Sequence, residues 1–126
     1  MNEIQSNELK GKKGFKRIIN AAYYSRDGIQ AAFRHEAAFR QLIVLNGLLI
    51  LGAFWLDTET NIRMMLIAAS FLSLIVELFN SGIEAVVDDI SLQLRPLAKR
   101  AKDVGSAAQM LALILLAILW LMALCD

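Results

Sequence analysis

The chain has 126 residues, 57% of them apolar, with a mean hydropathy of +0.51 and a formal net charge of +1. One domain of this length with so little polar content lies outside the range of ordinary soluble proteins and reads as a small integral membrane protein. Its single cysteine, Cys125, excludes an internal disulfide and any multi-cysteine metal site.

Residues 1–14 are a polar tail. No short apolar core precedes a small-residue cleavage site there, so the N-terminus is expected to be retained and cytoplasmic. Residues 15–35 predict a surface helix. Phe15, Ile18, Ile19 and Ala22 recur at i, i+3, i+4 and i+7 beside Lys16 and Arg17, the pattern of an amphipathic helix lying at a membrane surface. A break is expected at 25–28, followed by a second repeat, Ile29, Ala32, Phe33 and Ala37, with Glu36 set between its apolar members.

Three apolar runs follow, at 37–56, 62–87 and 104–125, each long enough as a helix to cross about 30 Å of hydrocarbon. Basic residues cluster before the first run (Lys10, Lys12, Lys13, Lys16, Arg17, Arg26, Arg34) and between the second and third (Arg95, Lys99, Arg100, Lys102). The turn at 57–61 carries Asp57 and Glu59 and no base. The positive-inside rule then places the N-terminus and the second loop in the cytoplasm and Asp126 outside. Trp55 and Trp120 fall near the outer interface, where indole rings tend to sit.

The second run holds the residues that call for an explanation. At about 100° per residue, Ser73, Glu77, Asn80, Glu84 and Asp88 occupy an arc of roughly 80° on one helical face. An ionised group at bilayer depth costs about 2.5 kcal/mol or more, so such a stripe faces protein or water and marks a working site. Glu77 lies about 10 Å deeper than Glu84, so a deep carboxylate is placed to meet a lipid hydroxyl and a shallow one a soluble, charged co-substrate. Glu36, Glu84 and Asn80 are hard oxygen ligands of the kind Mg²⁺ takes. Lys102 and Asp103 open the third run on the same side, where a lysine and free helix N–H groups can hold phosphate. Each residue has a plainer reading: an interhelical hydrogen bond for Glu77 or Asn80, a surface pair with Arg40 for Glu36, an interfacial anchor and cap for Lys102 and Asp103, and close helix packing for Ser106, Ala107 and Ala108.

Phosphate-binding glycine loops, dinucleotide fingerprints, protein-kinase signatures, zinc spacings and Ser-His-Asp arrangements are all missing. Any chemistry must come from carboxylates, a metal and a few bases on helices, which is enough for phosphoryl transfer. The residues by themselves leave that reading beside a non-enzymatic subunit whose polar stripe lines a pore or a partner interface.

Three segments narrow the choice. EAAFRQ from Glu36, VELFNSGIEAVVD from Val76 and AKDVGSAA from Ala101 resemble the prokaryotic integral membrane diacylglycerol kinases, over the stretch from about Phe15 to the C-terminus. The resemblance implies an all-α homotrimeric bundle in a bacterial inner membrane, three transmembrane helices and a surface helix per chain, with active sites shared between neighbouring subunits. It implies transfer of the γ-phosphate of Mg-ATP to diacylglycerol, with membrane lipids around it and no nucleic acid partner. Glu77 then matches the general base, and Glu36 and Glu84 match ligands of Mg²⁺. Asn80, Lys102 and Asp103 match active-site and nucleotide positions, and Arg17, Tyr24 and Ser106 match positions around substrate or ATP. An undecaprenol kinase is the related alternative, and EAAFRQ favours diacylglycerol. Leu42, Gln30, Arg26 and His35 depart from the family's pattern around lipid entry.

Overall fold

A computed structural model describes the backbone of residues 3–125 and the side chains of 13–125. Met1, Asn2, Asp126 and the side chains of 3–12, with Lys10 and Lys12 of the basic cluster, lie outside the described residues. Four helices account for the fold: α1 Glu3–His35, α2 Ala37–Trp55, α3 Thr60–Ile90 and α4 Pro96–Cys125. No strand occurs among the described residues. Residues 1–35 and 36–126 form two compact units.

Within the first unit, α1 runs without interruption. The break expected at 25–28 does not occur, because Ser25 Oγ donates to the carbonyl of Ala21 at 2.8 Å and so satisfies its hydroxyl within the helix. Continuity joins the first repeat to Ile29 and Phe33 of the second. At 100° per residue Phe15, Ile18, Ile19, Ala22, Ile29 and Phe33 fall within about 100° of one another, one apolar stripe about two and a half heptads long. Arg17 and Tyr24, seven residues apart, share the opposite face, and both are exposed.

In the second unit α3 packs against both α2 and α4. Each helix buries one stripe: Phe39, Leu42, Asn46 and Ala53 on α2, Leu66, Ala69, Ser70, Ser73 and Glu77 on α3, and Gly105, Gln109, Ala112 and Leu116 on α4. These steps of three, four or seven are the spacing at which helices meet along a common seam. The rest of the apolar surface is uncovered. Only 22%, 28% and 11% of the apolar windows of α2, α3 and α4 are buried within the chain, and all three helices are long and apolar enough to span a membrane. Surface of that kind is covered by lipid or by further protein, as in a multi-pass membrane protein.

The connections show what directs the chain. At the α2–α3 turn, Arg63 reaches back so that Nε donates to the carbonyl of Ala53 (2.8 Å) and Nη2 to that of Leu56 (2.9 Å). The last carbonyls of a helix lack intrahelical partners, and a cation there also suits the helix dipole. The only base near this turn is thus spent as a cap. At the far end α3 stops at Ser91, which is extended, and Pro96 opens α4, where a missing N–H costs nothing. Trp120 lies partly inward: a Cβ on Gly52 would meet its Cη2 at 3.5 Å. Trp55 is 87% exposed.

Candidate active site

α3 is held between two helices, so its polar face is turned to protein along much of its length. At the deep end Asn46 of α2 donates from Nδ2 to the carbonyl of Leu42 and to Ser73 Oγ, both at 2.9 Å, and Ser73 Oγ donates to the carbonyl of Ser70 at 2.8 Å. This is an interhelical bond in an apolar surrounding, worth about 0.6–1.7 kcal/mol. Asn46 Oδ1 and Ser70 Oγ have no partner.

One turn further along α3, Glu77 is 5% exposed. It opens onto a cleft of about 590 Å³ whose polar lining is Glu36, Glu77, Asn80, Glu84, Ser106 and Gln109. Ala38, Met110, Leu113, Ile114 and Ala117 line the remainder. A mostly apolar cleft with a few convergent polar groups is the usual form of a small-molecule site. Three of those groups are carboxylates, and no lysine, arginine or histidine is among the lining residues. Glu36 precedes α2 in extended conformation and makes no side-chain capping bond with that helix.

The two sides of the cleft meet closely at Gly105. A Cβ there would collide with Oδ1 of Asn80 and stand 3.3 Å from its Cγ. Glycine is therefore what admits the Asn80 side chain between α3 and α4. Close packing, expected of Ser106, Ala107 and Ala108, is performed by Gly105. Those three are exposed within the chain, and Ser106 instead lines the cleft.

Lys102 and Asp103 stand on different faces of α4. Lys102 Nζ pairs with Asp88 Oδ1 at 2.7 Å, tying α4 to α3 just beyond Glu84. Asp103 pairs with Lys99 at 2.6 Å in an exposed i, i+4 bridge, an arrangement worth little in stability. It lines a separate shallow cleft with Lys99 and Arg100. The structure thus brings Glu36, Glu77, Asn80, Glu84 and Ser106 together in one cleft, with Lys102 beside its polar end. Arg17 and Tyr24 belong to α1, in the other unit.

Gln109 is a lining residue that the sequence reading passed over. It is 8% exposed, and neither Oε1 nor Nε2 has a hydrogen-bond partner. A buried amide left so costs about 1–3 kcal/mol. The signal was present in the sequence, one amide in the apolar run after Ser106, as Asn46 is in the run before it.

No three carboxylate, histidine or cysteine groups among the described residues converge closely enough to cage an ion. Glu36 and Glu84, in a cleft that no base lines, fit a cation that takes one or two carboxylates and completes its shell with water or phosphate oxygens.

The chain's relatives agree with this anatomy. The family described as prokaryotic diacylglycerol kinase matches residues 23–124. A Pseudomonas aeruginosa protein named diacylglycerol kinase is 55% identical over 112 residues, covering 89% of this chain and 91% of the relative. Proteins of the same name from Escherichia coli K12 (50% identical, 85% and 88% covered) and Helicobacter pylori J99 (44% identical, 86% and 84% covered) align over nearly as much. With three spanning helices, a carboxylate-lined cleft between them, and relatives matched over most of both lengths, the chain belongs to the prokaryotic diacylglycerol kinase family.

Proposed function

We propose that this chain is an ATP-dependent diacylglycerol kinase, moving the γ-phosphoryl group of ATP to the free hydroxyl of diacylglycerol to give phosphatidic acid and ADP. The observation that carries the reading is that Glu36, Glu77 and Glu84 line one cleft together with an apolar wall of Ala38, Met110, Leu113, Ile114 and Ala117. A lipid alcohol enters along the apolar wall, and a charged nucleotide approaches from the polar end.

In this reading Glu77 accepts the proton of the lipid hydroxyl as that oxygen bonds to the γ-phosphorus, and the bond to the β-phosphate oxygen breaks to release ADP. Glu77 is the buried acid next to the apolar half of the cleft, so it is the one a lipid hydroxyl reaches first. Glu36 and Glu84 would hold Mg²⁺ together with phosphate oxygens, and the bound ion supplies neutralisation of the phosphate charge. Asn80, its Oδ1 buried without a partner, orients the reacting groups. Lys102 leaves Asp88 to meet the phosphates, and Asp103 acts beside the nucleotide. Ser106 contacts substrate, and Arg17 and Tyr24 are assigned to substrate or ATP on the family resemblance alone.

Most of the apolar surface of α2–α4 is uncovered in one chain, which supports a homotrimer with sites completed by neighbouring subunits. The distribution of bases supports an inner-membrane location with the N-terminus and the 91–95 loop in the cytoplasm. The test is incubation of purified protein with labelled ATP, magnesium, diacylglycerol and undecaprenol. The expected product is labelled phosphatidic acid. Label in undecaprenyl phosphate alone, or in no lipid, would contradict the proposal.

A further inference from the structure

We infer that Gln109 recognises the ester groups of the lipid acceptor and selects ester-linked glycerolipids over alcohols that lack them. The inference rests on the kinase reading above and goes beyond it by assigning a specificity residue.

Gln109 is more than nine-tenths buried, lines the cleft that contains Glu77, and has no hydrogen-bond partner on either amide atom. Buried side-chain amides are normally paired, so two orphaned atoms in the wall of a cleft indicate a partner that arrives with the ligand. Its place along the cleft says which partner. Ser106 lies one turn before it on α4, at the carboxylate end, while Met110, Leu113 and Ile114 continue the apolar wall beyond it. From polar end to apolar end, the cleft presents carboxylates interspersed with Asn80 and Ser106, then the Gln109 amide, then hydrocarbon. A diacylglycerol presents the same sequence: hydroxyl, ester carbonyls, acyl chains. With the hydroxyl at Glu77, an ester carbonyl is the next polar group and an acceptor, which suits donation from Nε2.

A polyprenol or a fatty alcohol has only the hydroxyl and leaves the amide unpaired, and an ether-linked glycerolipid offers a much weaker acceptor. Sites built around a hydrogen bond reject analogues that cannot make it more strongly than apolar pockets reject a change of size.

The test compares kcat/KM for 1,2-diacylglycerol with that for the 1,2-dialkyl ether of equal chain length, in the wild type, Gln109→Met and Gln109→Leu. Met keeps the length of the side chain and removes both polar atoms, and Leu serves if Met disturbs the helix packing. The wild type is expected to prefer the ester. Both variants should reduce that preference about tenfold, with the loss appearing in KM for the diacyl lipid, as for a contact made equally before and during the reaction. A purely structural role for Gln109 would move both lipids together. A wild type indifferent to ester and ether, or a variant with the wild-type ratio, overturns the assignment of Gln109 and leaves the kinase reading standing. Failure of the wild type to phosphorylate any lipid removes both.

Discussion

Gly105→Ala is the most informative single change, because the structure says what the added methyl meets. It would collide with Asn80 Oδ1 and lie 3.3 Å from Asn80 Cγ and 3.9 Å from Asn80 Cα, so the backbone has room and the side chain does not. Either α3 and α4 part or Asn80 turns away. Overpacking of this kind costs about 1–3 kcal/mol. Displacing a positioning group by about 1 Å costs on the order of a hundredfold in rate. Gly105→Ala should therefore lower the thermal midpoint in detergent micelles and reduce kcat about a hundredfold. Asn80→Ala combined with Gly105→Ala removes the collision. The double variant should regain most of the lost stability and none of the lost activity, a coupling that a double-mutant cycle isolates. A Gly105→Ala protein with wild-type stability and turnover, or a double variant no more stable than Gly105→Ala alone, would refute the packing argument.

Other perturbations follow from individual contacts. Arg63→Leu strips the cap from the Ala53 and Leu56 carbonyls and should cost about 1–3 kcal/mol of stability, read by thermal denaturation, with kcat unchanged. Ser73→Ala leaves Asn46 Nδ2 without its cross-helix partner and should destabilise by about 1 kcal/mol, whereas Asn46→Leu with Ser73→Ala should recover that loss, since no orphaned amide remains. Glu84→Gln should raise the magnesium concentration needed for half-maximal activity at least tenfold, measured by magnesium titration at saturating ATP; an unshifted titration removes Glu84 from the metal.

Much of this architecture is legible in the sequence because apolar runs and bilayer thickness leave few choices. Ser73, Glu77, Asn80 and Glu84 stand out for the same reason, as polar residues at helical spacing within a hydrocarbon run. Other features depend on geometry that one sequence does not contain. Gly105 matters through the register of α4 against α3, and the small residues that follow it, Ser106–Ala108, point elsewhere. Arg63 sits one turn inside α3, so its service to the end of α2 becomes visible only once the two helix ends meet. The composition at Ser25 and Gly28 signals a break, but a serine that bonds its own i−4 carbonyl is tolerated within a helix, and α1 continues. Asn46 and Gln109 carried the same signal as Asn80 and fall outside the three family-like segments or at their edge.

The central claim, that a buried carboxylate on α3 takes the proton from a lipid alcohol, is tested most directly by Glu77→Gln. The substitution preserves shape and hydrogen-bonding capacity while removing the base. Transfer of label from ATP to diacylglycerol is predicted to fall at least a thousandfold, with the thermal midpoint unchanged or raised. Turnover within a few-fold of wild type would contradict it.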